Sequence, residues 1–139
     1  MSQFIKHQID NNGICSIKIN RAPVNALSYD LLKELHDLFL KLNNDKIIRL
    51  VILSSSIKHF SAGADLKERK IMSIEDSSLA LDNFNDCFNV IENFKYPTIC
   101  VINGYCLGGG AELALACDLR IGSTNSIIGF PEVSIGIIP

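Results

Sequence analysis

The chain has 139 residues, of which 47% are hydrophobic and 20% charged, and its formal net charge is −2. This length and balance are typical of one globular domain, which we place at residues 1–139. The slight acidity argues against a nucleic-acid partner, and no apolar run is long enough to cross a membrane. The N-terminal MSQFIKHQID lacks the apolar core of a secretory signal, so we expect a cytoplasmic or organelle-matrix protein.

Five cysteines are scattered along the chain, and none forms a CxxC pair. They stand among aliphatic residues, as in TICVI and LALACDL, which is typical of buried free thiols in a reducing compartment. The three histidines, at positions 7, 36 and 59, are equally dispersed. Because metal sites need clustered ligands at regular spacing, we expect no metal site.

In the first third of the chain, apolar residues first alternate with polar ones and then recur at helical spacing. The segments QFIKHQI and GICSIKI alternate apolar and polar residues around a turn at residues 11–13, which predicts a β-hairpin. Ser28 is placed to cap a following helix, and Asp30 suits its first turn. The apolar stripe of that helix comprises Leu31, Leu32, Leu35, Leu38, Phe39 and Leu42.

The remaining elements alternate short apolar runs with helical patterns. LVIL and TICVI predict buried strands, and LRIG and SIIG predict short ones. A second long helix is predicted over residues 76–94, with Ser73 and Asp76 at capping-box spacing near its start. Its core-facing residues are expected to be Leu81, Phe84, Phe88 and Ile91. LGGGAELALAC opens a third helix, so the fold class is mixed α/β.

Two segments join an apolar strand, a glycine-bearing turn and a helix start. They are FSAGADLKER at residues 60–69 and NGYCLGGGAEL at residues 103–113. Glycine permits positive φ and close approach of a ligand, and helix starts present unpaired N–H groups. If the two junctions converge, they offer two donors to one oxyanion. Taken singly, each junction also fits an ordinary tight turn, and neither carries the GK[ST] of a phosphate-binding Walker loop.

Two carboxylates follow the triple glycine. Glu112 falls within the first helical turn, and Glu132 follows Pro131 in GFPEV. Two carboxylates around one water molecule can serve as general acid and general base. Spacing alone equally allows Glu112 to complement the helix dipole and Glu132 to lie in a solvated turn.

Taken together, FSAGADLKER, NGYCLGGGAELALACD and GFPEVSIGIIP resemble the crotonase (enoyl-CoA hydratase/isomerase) family, and NRAPVNALS resembles its first CoA-side loop. The resemblance runs from about Gly13 onward. It implies a spiral of β-β-α units that lacks the family's C-terminal helical part, because the chain stops at Pro139. It also implies an acyl-CoA thioester as substrate and no cofactor, since coenzyme A is part of that substrate.

The family's functional positions can be matched to this sequence. Its two oxyanion-hole amides match Ala64 and Gly109, and its catalytic glutamates match Glu112 and Glu132. The positions that line its CoA path match Ala22, Val24, Ala62, Ala64, Asp65 and Leu66. The implied reaction is the syn addition of water across the 2,3 double bond of an enoyl-CoA, with Glu112 as the base and Glu132 as the acid.

Several alternatives stay open at the level of sequence. The presence of both glutamates favours hydration over isomerisation, whereas the end at Pro139 favours a catalytically impaired fragment or an assembly subunit. The family implies a homo-oligomer, a trimer or hexamer, or pairing with a separate C-terminal chain.

FSAGADLKERKIMS also looks like the methylglutaconyl-CoA hydratase branch, some members of which bind RNA through a lysine-rich helix. In the matching helix, Lys33 and Lys41 are balanced by Glu34 and Asp37, so we expect no RNA binding.

Overall fold

The structure, a computed structural model, describes residues 3–70, 73–136 and 138. Within these ranges the side chains left undescribed are those of Arg69, Ile74, Glu75, Ser77, Ser78 and Ile135. The predicted hairpin is confirmed: β1 (Ile5–Ile9) pairs antiparallel with β2 (Ile14–Ile19). Asp10 closes its turn, because the carboxylate accepts hydrogen bonds from the N–H groups of Asn12 and Ile14.

The hairpin forms one edge of a sheet that is otherwise parallel. β3 (Leu50–Ser55), β4 (Thr98–Ile102) and β6 (Leu119–Gly122) follow β2 in the order β1-β2-β3-β4-β6. A second, two-stranded parallel sheet pairs β5 (Tyr105–Leu107) with β7 (Ile127–Gly129). All four predicted strand runs are confirmed. β5 was not predicted, because three residues beside a glycine-rich turn carry no periodic signal.

Two long helices cover the core-facing side of the main sheet. α1 (Tyr29–Asn43) begins at Ser28, whose hydroxyl accepts the N–H of Leu31 at 3.3 Å, and all six residues of its predicted stripe are buried. α3 (Ile74–Glu92) packs beside α1 and begins with the predicted capping box of Ser73 and Asp76. The mixed α/β prediction is therefore confirmed.

The prediction for the core face of α3 is wrong at one position. Phe84 and Ile91 are buried and Phe88 is half-buried, but Leu81 is 54% exposed. Tyr29, the first residue of α1, lines the same pocket as Ala80, so α1 begins at the level of this turn and gives Leu81 little to pack on. Cys87, which was not predicted for this stripe, is fully buried one turn after Phe84.

Three short helices connect the sheets. α2 (Leu66–Lys70) and α4 (Gly109–Leu115) begin at the two glycine-bearing junctions, and a 3-10 helix (Pro131–Ile135) follows β7. α4 is fastened to the sheet just beyond its end. There the Asp118 carboxylate accepts the N–H and hydroxyl of Thr98, and Arg120 donates to the carbonyl oxygens of Ala114 and Cys117.

All five cysteines are buried and unpaired, as predicted. Burial raises the pKa of the Cys87 thiol to about 12, which keeps it protonated and inert at neutral pH. The described part of the chain holds no group of three His, Cys, Asp or Glu side chains arranged to bind a metal ion. No helix in the described ranges has both the length and the apolar character to span a membrane.

One buried asparagine fixes the loop between β2 and α1. Asn25 is fully buried and has a φ of 51°, in the left-handed region that asparagine tolerates better than most residues. Its side-chain nitrogen donates to the Ser55 hydroxyl and to the carbonyl oxygens of His59 and Phe60, and its side-chain oxygen accepts the N–H of Arg21. The loop is thereby tied to the chain that leads into α2.

We predict that Asn25→Asp lowers the free energy of unfolding by about 1–3 kcal/mol. The side-chain nitrogen that donates to two carbonyl oxygens is replaced by an oxygen that can only accept. Asn12→Asp, in the exposed hairpin turn, serves as the matched control and should change that value by less than about 0.5 kcal/mol. Urea unfolding followed by circular dichroism measures both. Equal stability of the two variants would contradict the role given to Asn25.

Candidate active site

The two glycine-bearing junctions lie against each other. Ser61 pairs with the second junction through its backbone. Its N–H donates to the Tyr105 carbonyl oxygen at 3.0 Å, and its own carbonyl accepts the N–H of Leu107 at 3.0 Å. A Cβ atom on Gly110 would lie 2.6 Å from the Ser61 carbonyl oxygen, so only glycine permits this approach. The first turn of α4 is therefore held directly against the loop that precedes α2.

This contact brings the amides of Ala64 and Gly109 into one place. A Cβ atom on Gly63 would lie 3.3 Å from the Gly109 nitrogen, and one on Gly109 would lie 3.6 Å from the Ala64 nitrogen. Neither N–H has an acceptor among the described residues, and the first N–H of a helix has none within that helix. Two adjacent unpaired donors are what a carbonyl oxygen gaining negative charge requires.

Two glycines make this backbone geometry possible. Gly63 has a φ of 96°, and Gly108 has a φ of 51° with ψ near −123°. Residues with a side chain rarely adopt such backbone angles. At Gly63 a Cβ atom would also lie 2.8 Å from the carbonyl oxygen of Leu107. The turns that carry the two amides thus depend on glycine at both positions.

The loop before α1 runs alongside Ala64 and holds it from both sides. The N–H of Leu27 donates to the Gly63 carbonyl at 2.8 Å, and the Leu27 carbonyl accepts the N–H of Asp65 at 3.1 Å. Earlier in both segments, the N–H of Ala62 donates to the carbonyl of Val24 at 2.9 Å. The peptide groups around Ala64 therefore have little freedom to rotate.

A salt bridge closes the same loop. Arg21 contacts the Asp65 carboxylate at 2.7 Å and also donates to the Ala26 carbonyl at 2.9 Å. Burial alone would raise the pKa of the Asp65 carboxyl. The hydrogen bond from Arg21 and those from the N–H groups of Lys67 and Glu68 outweigh that effect and lower the pKa below its ordinary value. Asp65 therefore stays ionised and caps the start of α2.

The two predicted glutamates lie around Gly108. The N–H of Glu112 donates to the Gly108 carbonyl at 3.0 Å, which places Glu112 in the first turn of α4. The carboxylate of Glu132 packs on Gly108 from the 3-10 helix, with its carboxyl carbon 3.2 Å from the place of a Cβ atom. One oxygen of Glu132 is buried and has no hydrogen-bond partner among the described residues. Such an orphaned carboxylate oxygen is typical of a site that receives water or substrate.

Of the predicted site residues, the structure brings Ala64, Gly109, Glu112 and Glu132 to one helix start. Those predicted for the CoA path form two adjacent segments, of which Ala22 and Leu66 are exposed ends. The functional roles stay predictions.

Two contacts at the site were not predicted from the sequence: the Glu132 carboxylate packs on Gly108, and the Phe84 ring touches Gly109. The triple glycine signalled a close approach there, but it did not identify the partner.

Comparison with known proteins identifies the family of this chain. A family model described as enoyl-CoA hydratase/isomerase matches residues 9–139. The probable enoyl-CoA hydratase 2, mitochondrial, of Arabidopsis thaliana is 41% identical over 132 residues, which cover 93% of this chain and 44% of that protein. The methylglutaconyl-CoA hydratase, mitochondrial, of Homo sapiens is 42% identical over 132 residues, which cover 94% of this chain and 39% of that protein.

Solved structures show the same fold. The crystal structure of enoyl-CoA hydratase from Bacillus anthracis superposes with a TM-score of 0.94 at 37% identity and covers 99% of this chain and 54% of that chain. The chain spans about two-fifths of the length of the curated relatives it matches. With the family model matching nearly its whole length, the chain belongs to the enoyl-CoA hydratase/isomerase family.

Proposed function

We propose that this chain carries the active site of an enoyl-CoA hydratase, which adds water across the 2,3 double bond of an enoyl-CoA thioester. The observation that supports the proposal is the meeting of two unpaired amides, at Ala64 and Gly109, with a buried and unpartnered oxygen of Glu132 beside Gly108. Donors for a developing oxyanion and a carboxylate for proton transfer are thus present at one helix start.

The amides act on the thioester carbonyl. When water attacks C3, the electrons of the double bond shift through C2 toward the carbonyl oxygen, which gains negative charge. The N–H groups of Ala64 and Gly109 bond most strongly to that oxygen in this enolate-like state, so they lower the barrier rather than only binding the substrate. Loss of one such donor costs about 3 kcal/mol of transition-state stabilisation.

The glutamates move the protons. Glu112, as the carboxylate, accepts one proton from the water as its oxygen bonds to C3, and Glu132, as the carboxylic acid, delivers its proton to C2 as the enolate collapses. The result is net addition of H and OH from the same face of the double bond, and a second proton exchange restores both carboxyl groups. The water is held between these two carboxyl groups, which approach from α4 and from the 3-10 helix.

The same proposal covers cofactor, partners and compartment. The reaction transfers protons but no electrons to an external acceptor, so it needs no cofactor beyond the coenzyme A of its substrate. Residues 22–24 and 62–66, which lie side by side, would line the CoA path. Assembly into a homo-oligomer, or with a chain that supplies the other half of the relatives' fold, belongs to this proposal. We propose the cytoplasm or an organelle matrix as its compartment. The second is favoured by the relatives that are described as mitochondrial.

Isomerisation within the same family is the competing reaction. It moves a double bond and needs one proton acceptor at a time, whereas hydration uses two carboxyl groups around one water. Incubating the chain with crotonyl-CoA and separately with a 3-enoyl-CoA, with product analysis by mass spectrometry, separates the two. Mass gain of one water on crotonyl-CoA supports hydration. Rearrangement of the 3-enoyl ester without water uptake would replace the hydratase proposal with isomerisation. Binding of either ester without turnover would favour the catalytically impaired fragment.

We predict that Glu112→Gln and Glu132→Gln each reduce crotonyl-CoA hydration by about a hundredfold or more, because an amide cannot exchange the proton. Glu92→Gln, at the exposed end of α3, is the matched control and should leave the rate unchanged. The decay of the enoyl absorbance measures the rate. Full activity in either active-site variant would remove that residue from the mechanism.

We also predict that Gly108→Ala reduces hydration by about a hundredfold, because the added methyl group would displace the Glu132 carboxylate and the φ of 51° disfavours alanine. Gly129→Ala is the control, since a Cβ atom there meets nothing within 4 Å. Hydration rate and thermal unfolding are measured for both variants. A folded Gly108→Ala variant with unchanged turnover would show that hydration does not depend on the packing of Glu132 against Gly108.

A further inference from the structure

We propose that His59 is a positioning residue for the oxyanion site, which acts by fixing the start of β5 and, through that strand, the amide of Gly109. The inference rests on the proposed function, because it assumes that this amide binds an acyl-CoA carbonyl during hydration. His59 directly precedes the first glycine-bearing junction, and its side chain reaches the second.

The His59 ring holds Tyr105, the first residue of β5, in two ways. Its Nδ1 accepts the backbone N–H of Tyr105 at 3.1 Å, and the two rings stack with centroids 4.3 Å apart and planes 9° apart. Because a ring nitrogen that accepts a hydrogen bond carries no proton, the neutral ring has its proton on Nε2. A Cβ atom on Gly104 would lie 2.5 Å from Nδ1, so glycine at that position leaves room for the ring.

The ring replaces a backbone acceptor that is used elsewhere. In a regular parallel ladder, the residue two before Ser61 would offer its carbonyl oxygen to the Tyr105 N–H. The carbonyl oxygen of His59 instead accepts the Asn25 side-chain nitrogen at 3.0 Å and the Ser55 hydroxyl at 2.7 Å. The side chain of the same residue supplies the acceptor that its backbone does not, so the pairing with β5 extends by one bond.

The extra bond limits the movement of the Gly109 amide. Two backbone bonds from Ser61 already cross between the junctions, and the His59 bond adds a third on the same side of β5. Without that third bond, the short strand is freer to pivot about Ser61. β5 leads through one residue into α4, which begins at Gly109, so a pivot would move this amide relative to that of Ala64. Stabilisation of an oxyanion depends on donors that are already aligned.

Two substitutions separate the hydrogen bond from the ring stacking. His59→Phe keeps a flat ring but removes the acceptor, whereas His59→Asn removes the ring and can place its side-chain oxygen near the position of Nδ1. For His59→Phe we expect kcat for crotonyl-CoA hydration to fall about tenfold, the effect of losing one hydrogen bond, and KM to change by less than about threefold. His59→Asn should recover most of the lost rate. His7→Phe, on the exposed part of β1, is the matched control and should change neither constant.

Two spectra report the geometry itself. The infrared carbonyl band of bound butanoyl-CoA, labelled with ¹³C at the carbonyl carbon, reports the alignment of the amides. We expect its shift from the free ester to shrink in His59→Phe and to persist in His59→Asn and in His7→Phe. In the unmodified chain, the ¹⁵N spectrum of the His59 ring should show an unprotonated Nδ1 and a protonated Nε2.

The outcomes separate this inference from the proposed function. If the unmodified chain does not hydrate crotonyl-CoA, the proposed function fails and takes this inference with it. If it does, and His59→Phe retains both the rate and the carbonyl shift, only the role of His59 is overturned. Equal losses in His59→Phe and His59→Asn would also overturn it, because the hydrogen bond would then not be the contact that matters. A proton on Nδ1 in the unmodified chain overturns it even if a variant does not fold.

Discussion

The candidate site depends on one backbone contact, the pairing of Ser61 with Tyr105 and Leu107. These hydrogen bonds join two strand–helix junctions that are more than forty residues apart in the chain. Beside this backbone pairing the His59 ring stacks on the Tyr105 ring, with centroids 4.3 Å apart. Gly110 supplies the space that the approach of the Ser61 carbonyl requires. The amides of Ala64 and Gly109 come together as a consequence of this contact.

The surrounding loop explains why the amides stay in place. A donor aimed at a developing charge contributes most when it needs no reorganisation during the reaction. Here Leu27 bonds the peptide groups on both sides of Ala64, Arg21 joins Asp65 to the same loop, and Asn25 ties that loop to the chain before α2. Each of these contacts is buried or half-buried, so water competes with it only weakly.

Much of the fold could be predicted from local patterns. The stripe of α1 and the strands LVIL and TICVI follow from periodicity and apolar runs, which depend only on neighbouring residues. Leu81 could not be placed, because its exposure depends on where another helix begins. The start of α2 was predicted from FSAGADLKER, but the contact that fixes it was not, because Asp65 caps the first turn and is held by Arg21 from more than forty residues away.

The site was predictable in part. The glycine-bearing junctions and the two carboxylates could be singled out from residue types and spacing, and the family resemblance gave them roles. That Glu132 rests on Gly108 and that Phe84 touches Gly109 could not be foreseen, because both contacts join elements whose relative position is set only by the assembled sheet. Close approaches at glycine are signalled by the sequence, but the approaching partner is identified only in three dimensions.

The central claim is that the amides of Ala64 and Gly109 together polarise a thioester carbonyl. The most direct test is the infrared difference spectrum of butanoyl-CoA labelled with ¹³C at the carbonyl carbon, recorded free and bound to the chain. Two hydrogen bonds to the carbonyl oxygen weaken the C=O bond, so the account predicts a bound band at clearly lower frequency than the free ester. A bound ester whose carbonyl frequency equals that of the ester in water would contradict it.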